Sequence, residues 1–399
     1  MIKLHFNTIE EAISDLKEGK IIVICDDENR ENEGDFVTLA ENVTPETINF
    51  MITHGKGLLC TPISQEIANK LDLNLMTAKN TDNFSTAFTI SIDHKTNSTG
   101  ISAKDRCDTI KEIIKQSSKP EDFRRPGHIF PLIAKKNGVI ERPGHTEATI
   151  DLARLCGKTE AGLLCEIVNP DGKMARRDDL ILIAQKFGLK IITIKDLIEY
   201  RKHHDKFIKL EATTSLPTKF GNFRAYGYSN VIDGTHITVI IKGDPKNFNI
   251  PFVRIHSECL TGDVFHSLRC DCGEQLEMSL NTIEQEGQGI IIYLEQEGRG
   301  IGLINKLKAY ELQENGYDTF DANVKLGFAA DLREYFIAAQ ILKDLGIIKI
   351  KLATNNPHKI EELERYGITI VDRIAVSTHP HKHNAQYLQT KIKKFGHII

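Results

Sequence analysis

Six carboxylates, Asp26, Asp27, Glu28, Glu31, Glu33 and Asp35, fall within ten residues, with Arg30 among them and Gly34 free to turn. Acids this dense repel one another, so they gain from a hard divalent cation or from sharing protons with a substrate that they enolise. Taken alone, the run reads first as a solvated charged loop. A partner for it is RPGHTEAT, residues 142–149, where Gly144, His145 and Thr146 open an amphipathic helix whose free amides favour a phosphate. His145 is there either a metal ligand or an ordinary residue at a helix start. RRPGHIFPL, residues 124–132, is a second element of this type and offers Arg125 and His128.

Cys259, Cys270 and Cys272 lie in RIHSECLTGDVFHSLRCDCGEQLE, residues 254–277. Three thiols on a short polar stretch point to zinc, and three protein ligands leave one tetrahedral position to water, the pattern of a catalytic site. Buried free cysteines are the competing reading, which C-D-C in a polar loop suits poorly. His266 is set aside as a fourth ligand because a catalytic zinc keeps that position open. EGRGIG, residues 297–302, lacks the third glycine of a dinucleotide-binding turn and reads either as a plain glycine turn or as a polyphosphate contact, with Arg299 adding a fixed cation. Tyr310 stands one helical turn beyond Lys306, a position from which its hydroxyl could face that glycine loop, though alone it reads as an ordinary helix-surface or core residue.

The elements that must hold these groups are legible as strands and helices. GKIIVIC (19–25), HITVIIKG (236–243) and GIIIYLEQ (289–296) read as strands. HTEATIDLARLCG (145–157), DDLILIAQKFG (178–188), IKDLIEYRKHHDKF (194–207) and NKLKAYELQENG (305–316) read as helices. Near residue 204 a charged stretch gives way to Thr, Gly and aromatic residues, which places a domain boundary there and predicts domains over 1–204 and 205–399. The fold class is α/β, of mixed α+β character, each domain a mixed sheet packed with helices. A length of 399 residues exceeds what one core usually organises.

Composition removes several function classes. A net charge of −4 gives no basic excess for nucleic acid, and no apolar run approaches the roughly eighteen residues of a membrane span. The start of the chain carries acids where a signal peptide has its apolar core, so the protein is expected in the cytoplasm. Eight cysteines are too few for a disulfide scaffold and are expected as thiols. The tail THPHKHNAQYLQTKIKKFGHII reads as a solvated terminal segment with adventitious histidines.

DDENRENEGD, TGISAKDRCDTI, DFRRPGHIFPL and RPGHTEATIDLARL together closely resemble 3,4-dihydroxy-2-butanone 4-phosphate synthase over about 200 residues. In that family ribulose 5-phosphate is enolised, rearranged and cleaved to a four-carbon phosphate and formate with Mg²⁺ on the substrate oxygens. The resemblance implies that Glu31 and His145 hold Mg²⁺ or Mn²⁺. It implies that Arg30, Glu31, Asp35, Arg142, Gly144, His145, Thr146 and Glu166 meet ribulose 5-phosphate, and that His128 and Glu166 move protons. Asn137 departs from the family by replacing the first of two glycines.

HSECLTGD, SLRCDCG, QEGRGIGL, LGFAADLREY and TNNPHK resemble GTP cyclohydrolase II from about Leu210 onward. The resemblance implies that Cys259, Cys270 and Cys272 hold Zn²⁺, at which C8 of guanine is hydrolysed, with formate and diphosphate released and Mg²⁺ accompanying GTP. GTP would be held by Arg254, Ile255, His256, Ser257, Glu258, Gln275, Glu297, Gly298, Arg299, Thr319, Thr354 and Lys359. Tyr310, Asp331 and Arg333 would be catalytic, Asp331 as proton acceptor. Arg333 is assigned in the family to attack on phosphorus, but a guanidinium suits charge stabilisation better. His266 stands where relatives carry a small residue. Homodimers are implied for both halves, with the neighbouring chain completing the first site. Two rival readings remain: one half kept only as an assembly module, or a zinc-dependent RNA binder, which the missing C-x-x-C pairs and negative charge oppose.

Overall fold

A computed structural model describes residues 6–376 and 380–398. The chain divides into two compact units, Met1–His204 and Asp205–Ile399. Among the described residues no helix is long and apolar enough to cross a membrane.

The first unit runs α1 (Ile9–Lys17), β1 (Ile22–Cys25), β2 (Gly34–Leu39), α2 (Pro45–His54), β3 (Lys56–Ile63), α3 (Gln65–Lys70) and β4 (Ile92–His94). It continues with α4 (Ala103–Ile114), β5 (Phe123–Ile133), α5 (His145–Leu155), β6 (Gly162–Ile167), α6 (Arg177–Phe187), β7 (Lys190–Thr193) and α7 (Ile194–His204). The strands form one mixed sheet in the order β4-β5-β3-β6-β2-β1-β7. Every residue of β1 is buried because helices cover both sheet faces. On one face Ile48, Met51, Ile110 and Leu180 of α2, α4 and α6 meet Val23, Phe36 and Cys165. On the other, Leu16, Ala148, Leu152 and Leu197 of α1, α5 and α7 meet Ile24, Val37, Leu164 and Cys60. Side-chain caps start several of these helices, as where Thr8 and Glu11 form a reciprocal capping box on α1.

The second unit runs β8 (Ile208–Thr218), β9 (Gly221–Asn230), β10 (His236–Lys242), β11 (Phe252–Ser257), α8 (Leu260–Asp263), α9 (Cys272–Glu286) and β12 (Gly289–Leu294). There follow α10 (Leu303–Glu314), α11 (Thr319–Lys325), α12 (Phe336–Asp344), β13 (Lys349–Ala353), α13 (Pro357–Arg365), β14 (Thr369–Ile374) and α14 (Ala385–Phe395). Its sheet, β14-β13-β11-β12-β10-β9-β8, is parallel from β14 to β12 and antiparallel from there to β8. Parallel strands must send their connections over the sheet, and the loops leaving their carboxyl ends are where such sheets bind ligands. Those loops begin after Ser257, Leu294 and Ala353.

Two expectations differ from what is observed. RRPGHIFPL is not a second helix start but lies within β5, which carries the apolar residues Ile129 and Leu132 into the core. The terminal segment is not a solvated tail, since α14 is a packed helix with Leu388 and Lys391 buried. Of the tail histidines, His379 lies outside the described residues, and His381 and His383 belong to no group able to hold a metal among those described.

Candidate active sites

The acidic loop between β1 and β2 is organised around one of its own members. Asp26 accepts hydrogen bonds from the backbone amides of Glu31 at 3.0 Å and Glu33 at 2.8 Å, and from Arg30 at 2.9 Å. Its side chain is fully buried, so Asp26 folds the loop that presents Glu31. Arg30 also pairs with Glu31 at 3.0 Å and stacks on Phe84, 4.8 Å from the ring centre. One donor atom each from Asp26, Glu31 and His145 lies within 4.8 Å of the others.

His145 is the first residue of α5, and its Nδ1 lies 3.9 Å from Glu31. Burial pushes its imidazole pKa down against the charges of Asp26 and Glu31, so the ring is neutral at physiological pH. Its Nε2 is buried with no hydrogen-bond partner. An unsatisfied imidazole nitrogen beside two carboxylates is a donor set that fits a divalent cation. Gly144 caps α5 without a side chain, and a methyl there would strike the Arg142 guanidinium. Arg142 is itself held on Glu147 at 2.5 Å, on the Phe84 carbonyl at 2.9 Å and on Thr86 at 2.9 Å. Thr146, the second residue of α5, is buried.

Sheet register brings the other first-unit candidates to the same face. Val37 pairs with Leu164, Leu164 with Cys60, and Cys60 with Phe130. Two residues along each strand from that row stand Asp35, Glu166 and His128, and side chains two apart share a sheet face. That face is the one α5 covers. Asp35 and Glu166 are direct cross-strand partners. Burial, then the charges of Glu166, Glu31, Glu33 and Asp26, push the Asp35 carboxyl well above its ordinary range. Glu166 is aimed by the Leu58 amide, 2.7 Å from Oε2. His128 is two strands further, about 10 Å away at ordinary strand spacing, and stands outside the cation group. Its Nδ1 meets the buried Asp93 at 2.7 Å, while its backbone amide donates to the same carboxylate at 2.9 Å. Asp93 therefore fixes the ring so that Nε2 is left to exchange protons. Arg125 is spent on the backbone carbonyls of Leu71, Pro120 and Phe123.

In the second unit the three cysteine sulfurs lie within 4.8 Å of one another, with Cys259 and Cys270 Sγ 3.6 Å apart. The cluster closes over Gly262. A methyl there would sit 2.9 Å from Cys270 Sγ, 3.1 Å from Cys259 Sγ and 3.2 Å from Cys272 Cβ. Hydrogen bonds from Cys270 and Cys272, aided by the Lys306 ammonium, hold the Cys259 thiol far below its usual range, and the same contact pushes Cys270 up to about 12. A preformed, partly ionised thiol trio with no disulfide fits a soft divalent metal. His266 is exposed and belongs to no such group among the described residues.

A cavity opens beside the sulfurs at the carboxyl ends of β11, β12 and β13. It is lined by Arg254, His256, Ser257, Glu258, Gln275, Glu297, Gly298, Arg299, Tyr310, Thr319, Arg333, Thr354 and Lys359. Ile255 and Asp331 do not line it. Strand alternation turns the Ile255 side chain into the core, and its carbonyl accepts from Lys359 at 2.7 Å. Asp331 stands behind Arg333 in a two-pronged pair of 2.8 and 2.5 Å. Against the cost of burial, Tyr335 and then that pair raise the Arg333 pKa, and the pair lowers that of Asp331.

The Tyr310 hydroxyl meets Thr261 at 3.4 Å, beside the sulfurs and not at the glycine loop. Lys306 takes the loop-facing position instead, donating to Glu297 at 2.7 Å and to Cys259 Sγ at 3.1 Å. Glu297 also accepts from the amides of Leu260 and Gly298, which ties the glycine loop to the sulfur loop. Asp263 accepts from His256, Tyr293 and the Cys259 amide at 2.9 to 3.1 Å. Asp93, Asp263 and Lys306 were not singled out as site residues from sequence. Only the place of Asp263 in HSECLTGD and of Lys306 one turn before Tyr310 hinted at them.

Comparison with known proteins follows this division. Residues 10–200 match the family model of 3,4-dihydroxy-2-butanone 4-phosphate synthase, and residues 209–375 that of GTP cyclohydrolase II. Riboflavin biosynthesis protein RibBA of Bacillus cereus (strain AH187) is 57% identical over 394 residues, 99% of each chain. The protein of that name from Bacillus mycoides (strain KBAB4) is also 57% identical, again over 99% of each. The crystal structure of RibBX, described as a two-domain 3,4-dihydroxy-2-butanone 4-phosphate synthase from A. baumannii, superposes with a TM-score of 0.69 at 34% identity, covering 94% of this chain and 100% of that one.

Proposed function

Because this chain belongs to the family of bifunctional riboflavin biosynthesis proteins, a 3,4-dihydroxy-2-butanone 4-phosphate synthase domain followed by a GTP cyclohydrolase II domain, we propose a division of labour among its residues. Residues 1–204 convert D-ribulose 5-phosphate to L-3,4-dihydroxy-2-butanone 4-phosphate and formate. Residues 205–399 hydrolyse GTP to 2,5-diamino-6-(5-phosphoribosylamino)pyrimidin-4(3H)-one, formate and diphosphate. The single observation that carries the second assignment is the sulfur trio closed over Gly262 at the mouth of a cationic cavity.

In the first half Glu31 and His145, with Asp26 behind them, would hold Mg²⁺ or Mn²⁺, which when bound makes the carbon next to a carbonyl more acidic. Arg30, Arg142 and the amides at Gly144 and Thr146 receive the sugar phosphate. Asp35, kept protonated by burial and by Glu166, donates a proton, and Glu166 takes one from the facing strand. His128, oriented by Asp93, carries protons at Nε2 from the far side of the same face.

In the second half Cys259, Cys270 and Cys272 would hold Zn²⁺, which when bound lets water ionise near neutral pH. Asp331, kept ionised by Arg333, accepts a proton, and Arg333 remains a cation that steadies phosphoryl charge. Arg254, Arg299 and Lys359 are the cavity's cations for GTP, which arrives with Mg²⁺. The protein works in the cytoplasm as a homodimer, on small molecules and without nucleic acid.

The test is formate release from each substrate by the full-length Glu31→Gln and Cys270→Ser variants, with metal analysis of each. Glu31→Gln is expected to lose only the ribulose 5-phosphate reaction. Cys270→Ser is expected to lose zinc and only the GTP reaction. A variant that lost neither reaction would mark its half as an assembly module.

A further inference from the structure

The family model for the second half ends at residue 375, yet the cavity does not. Three of its lining residues, Tyr387, Lys391 and His397, come from α14 and the turn after it. Lys391 donates to Asp271 at 2.5 Å, and both side chains are buried. Asp271 stands between two of the cysteines and also accepts from Gln275 at 2.6 Å, so the helix is fastened to the sulfur loop itself. Phe395 lies beneath the Arg299 guanidinium, 3.5 Å from its carbon. Ile398 donates its amide to the Asn355 carbonyl at 2.9 Å, which pins the end of the segment beside Thr354.

Several buried donors in this region lack hydrogen-bond partners, although Arg299 Nη1 lies 3.8 Å from the Asp331 carboxylate. Arg254 Nε, Arg299 Nη1 and His397 Nε2 are buried and make no hydrogen bond. Burial, followed by the charges of Lys391, Arg299, Arg333 and Lys359, presses the His397 imidazole down to about 3. Orphaned buried donors are costly, and like charges gathered in one cavity repel, so both conditions are relieved together by a polyanion. The triphosphate of GTP is such an anion.

We propose that residues 385–398 are a working wall of the GTP cavity, in which Lys391 adds a cation beside the basic side chains of Arg299, Arg333 and Lys359, and the neutral His397 imidazole adds a hydrogen-bond donor, around the triphosphate. The Lys391–Asp271 contact couples that wall to the cysteine loop. The inference rests on the reading of this cavity as the GTP site.

The experiment uses full-length Lys391→Met, Lys391→Arg, His397→Gln and Arg299→Met proteins. Steady-state formate release from GTP is measured together with the affinities of GTP, GDP and GMP. Formate from ribulose 5-phosphate serves as an internal control for folding, and zinc content is determined for each variant. Lys391→Met is expected to raise KM for GTP about tenfold, the size of one charge-assisted hydrogen bond, while kcat and zinc change little. The affinity loss should grow from GMP to GTP, and Lys391→Arg should restore part of it. His397→Gln should show the same order with a smaller loss. An unchanged or lower KM in both tail variants, or an equal loss for all three nucleotides, would overturn the proposal if Arg299→Met still weakens GTP. If Arg299→Met leaves GTP affinity unchanged too, it is the cavity assignment that fails.

Discussion

Gly262 shows how narrowly the sulfur site is drawn. A methyl at that position points at all three cysteines, 2.9 Å from the nearest sulfur. Gly262→Ala is expected to cost about 1–3 kcal/mol through overpacking and to lower zinc content and GTP hydrolysis together, measured by metal analysis and formate release. Asp35 makes a second prediction. Its carboxyl binds a proton in the folded protein at pH values where the unfolded chain has released it. The stability this contributes is full below about 3.8 and is lost as pH rises toward the folded pKa. Asp35→Asn should therefore melt higher than the parent at pH 7, with the difference shrinking toward pH 4, while formate release from ribulose 5-phosphate disappears. A lower melting temperature for the variant at pH 7 would contradict this. The sulfurs were legible in sequence because C-D-C is rare and close-set. Asp93 and Asp263 were not, because each is an ordinary acid until the fold sets it on His128, 35 residues away, or among His256, Tyr293 and Cys259.

At the scale of elements, β4 and β5 approach so closely at Gly127 that a side chain there would overlap the Ile92 carbonyl carbon and the Asp93 amide. Gly127→Ala should push β4 away from β5, cost about 1–3 kcal/mol and misplace Asp93 beneath His128. Thermal unfolding and the ribulose 5-phosphate assay check this, with GTP hydrolysis expected to persist. The helices at His145, Arg177, Ile194 and Leu303 were readable because apolar residues recur at helical spacing. The second R-P-G-H was misleading, because a tetrapeptide shared with a helix start carries no information about the β-pairing that claims it. The terminal helix escaped notice for a related reason. KIKKF looks solvated until Lys391 meets Asp271, 120 residues earlier, and burial of a lysine depends on that distant partner.

For the whole molecule, each candidate site is assembled within one of the two units, and neither borrows a described residue from the other. Changes in one half should thus be additive with changes in the other. The Glu31→Gln, Cys270→Ser double variant is expected to lose both activities with no deficit beyond the two singles, read by formate release and thermal unfolding. The composition change near residue 204 made two bodies readable, but the order of strands within each sheet was not, since pairing such as β2 with β6 joins segments more than a hundred residues apart.

The two donor sets differ in chemical hardness: oxygen and imidazole in the first half, sulfur alone in the second. Thiolates favour thiophilic ions and carboxylates favour magnesium-like ones, so with the proposed zinc and magnesium bound the two halves would draw on separate supplies inside a cell. Zinc starvation would idle the guanine-opening half while ketose cleavage continued, tilting the output of a single polypeptide toward its four-carbon product.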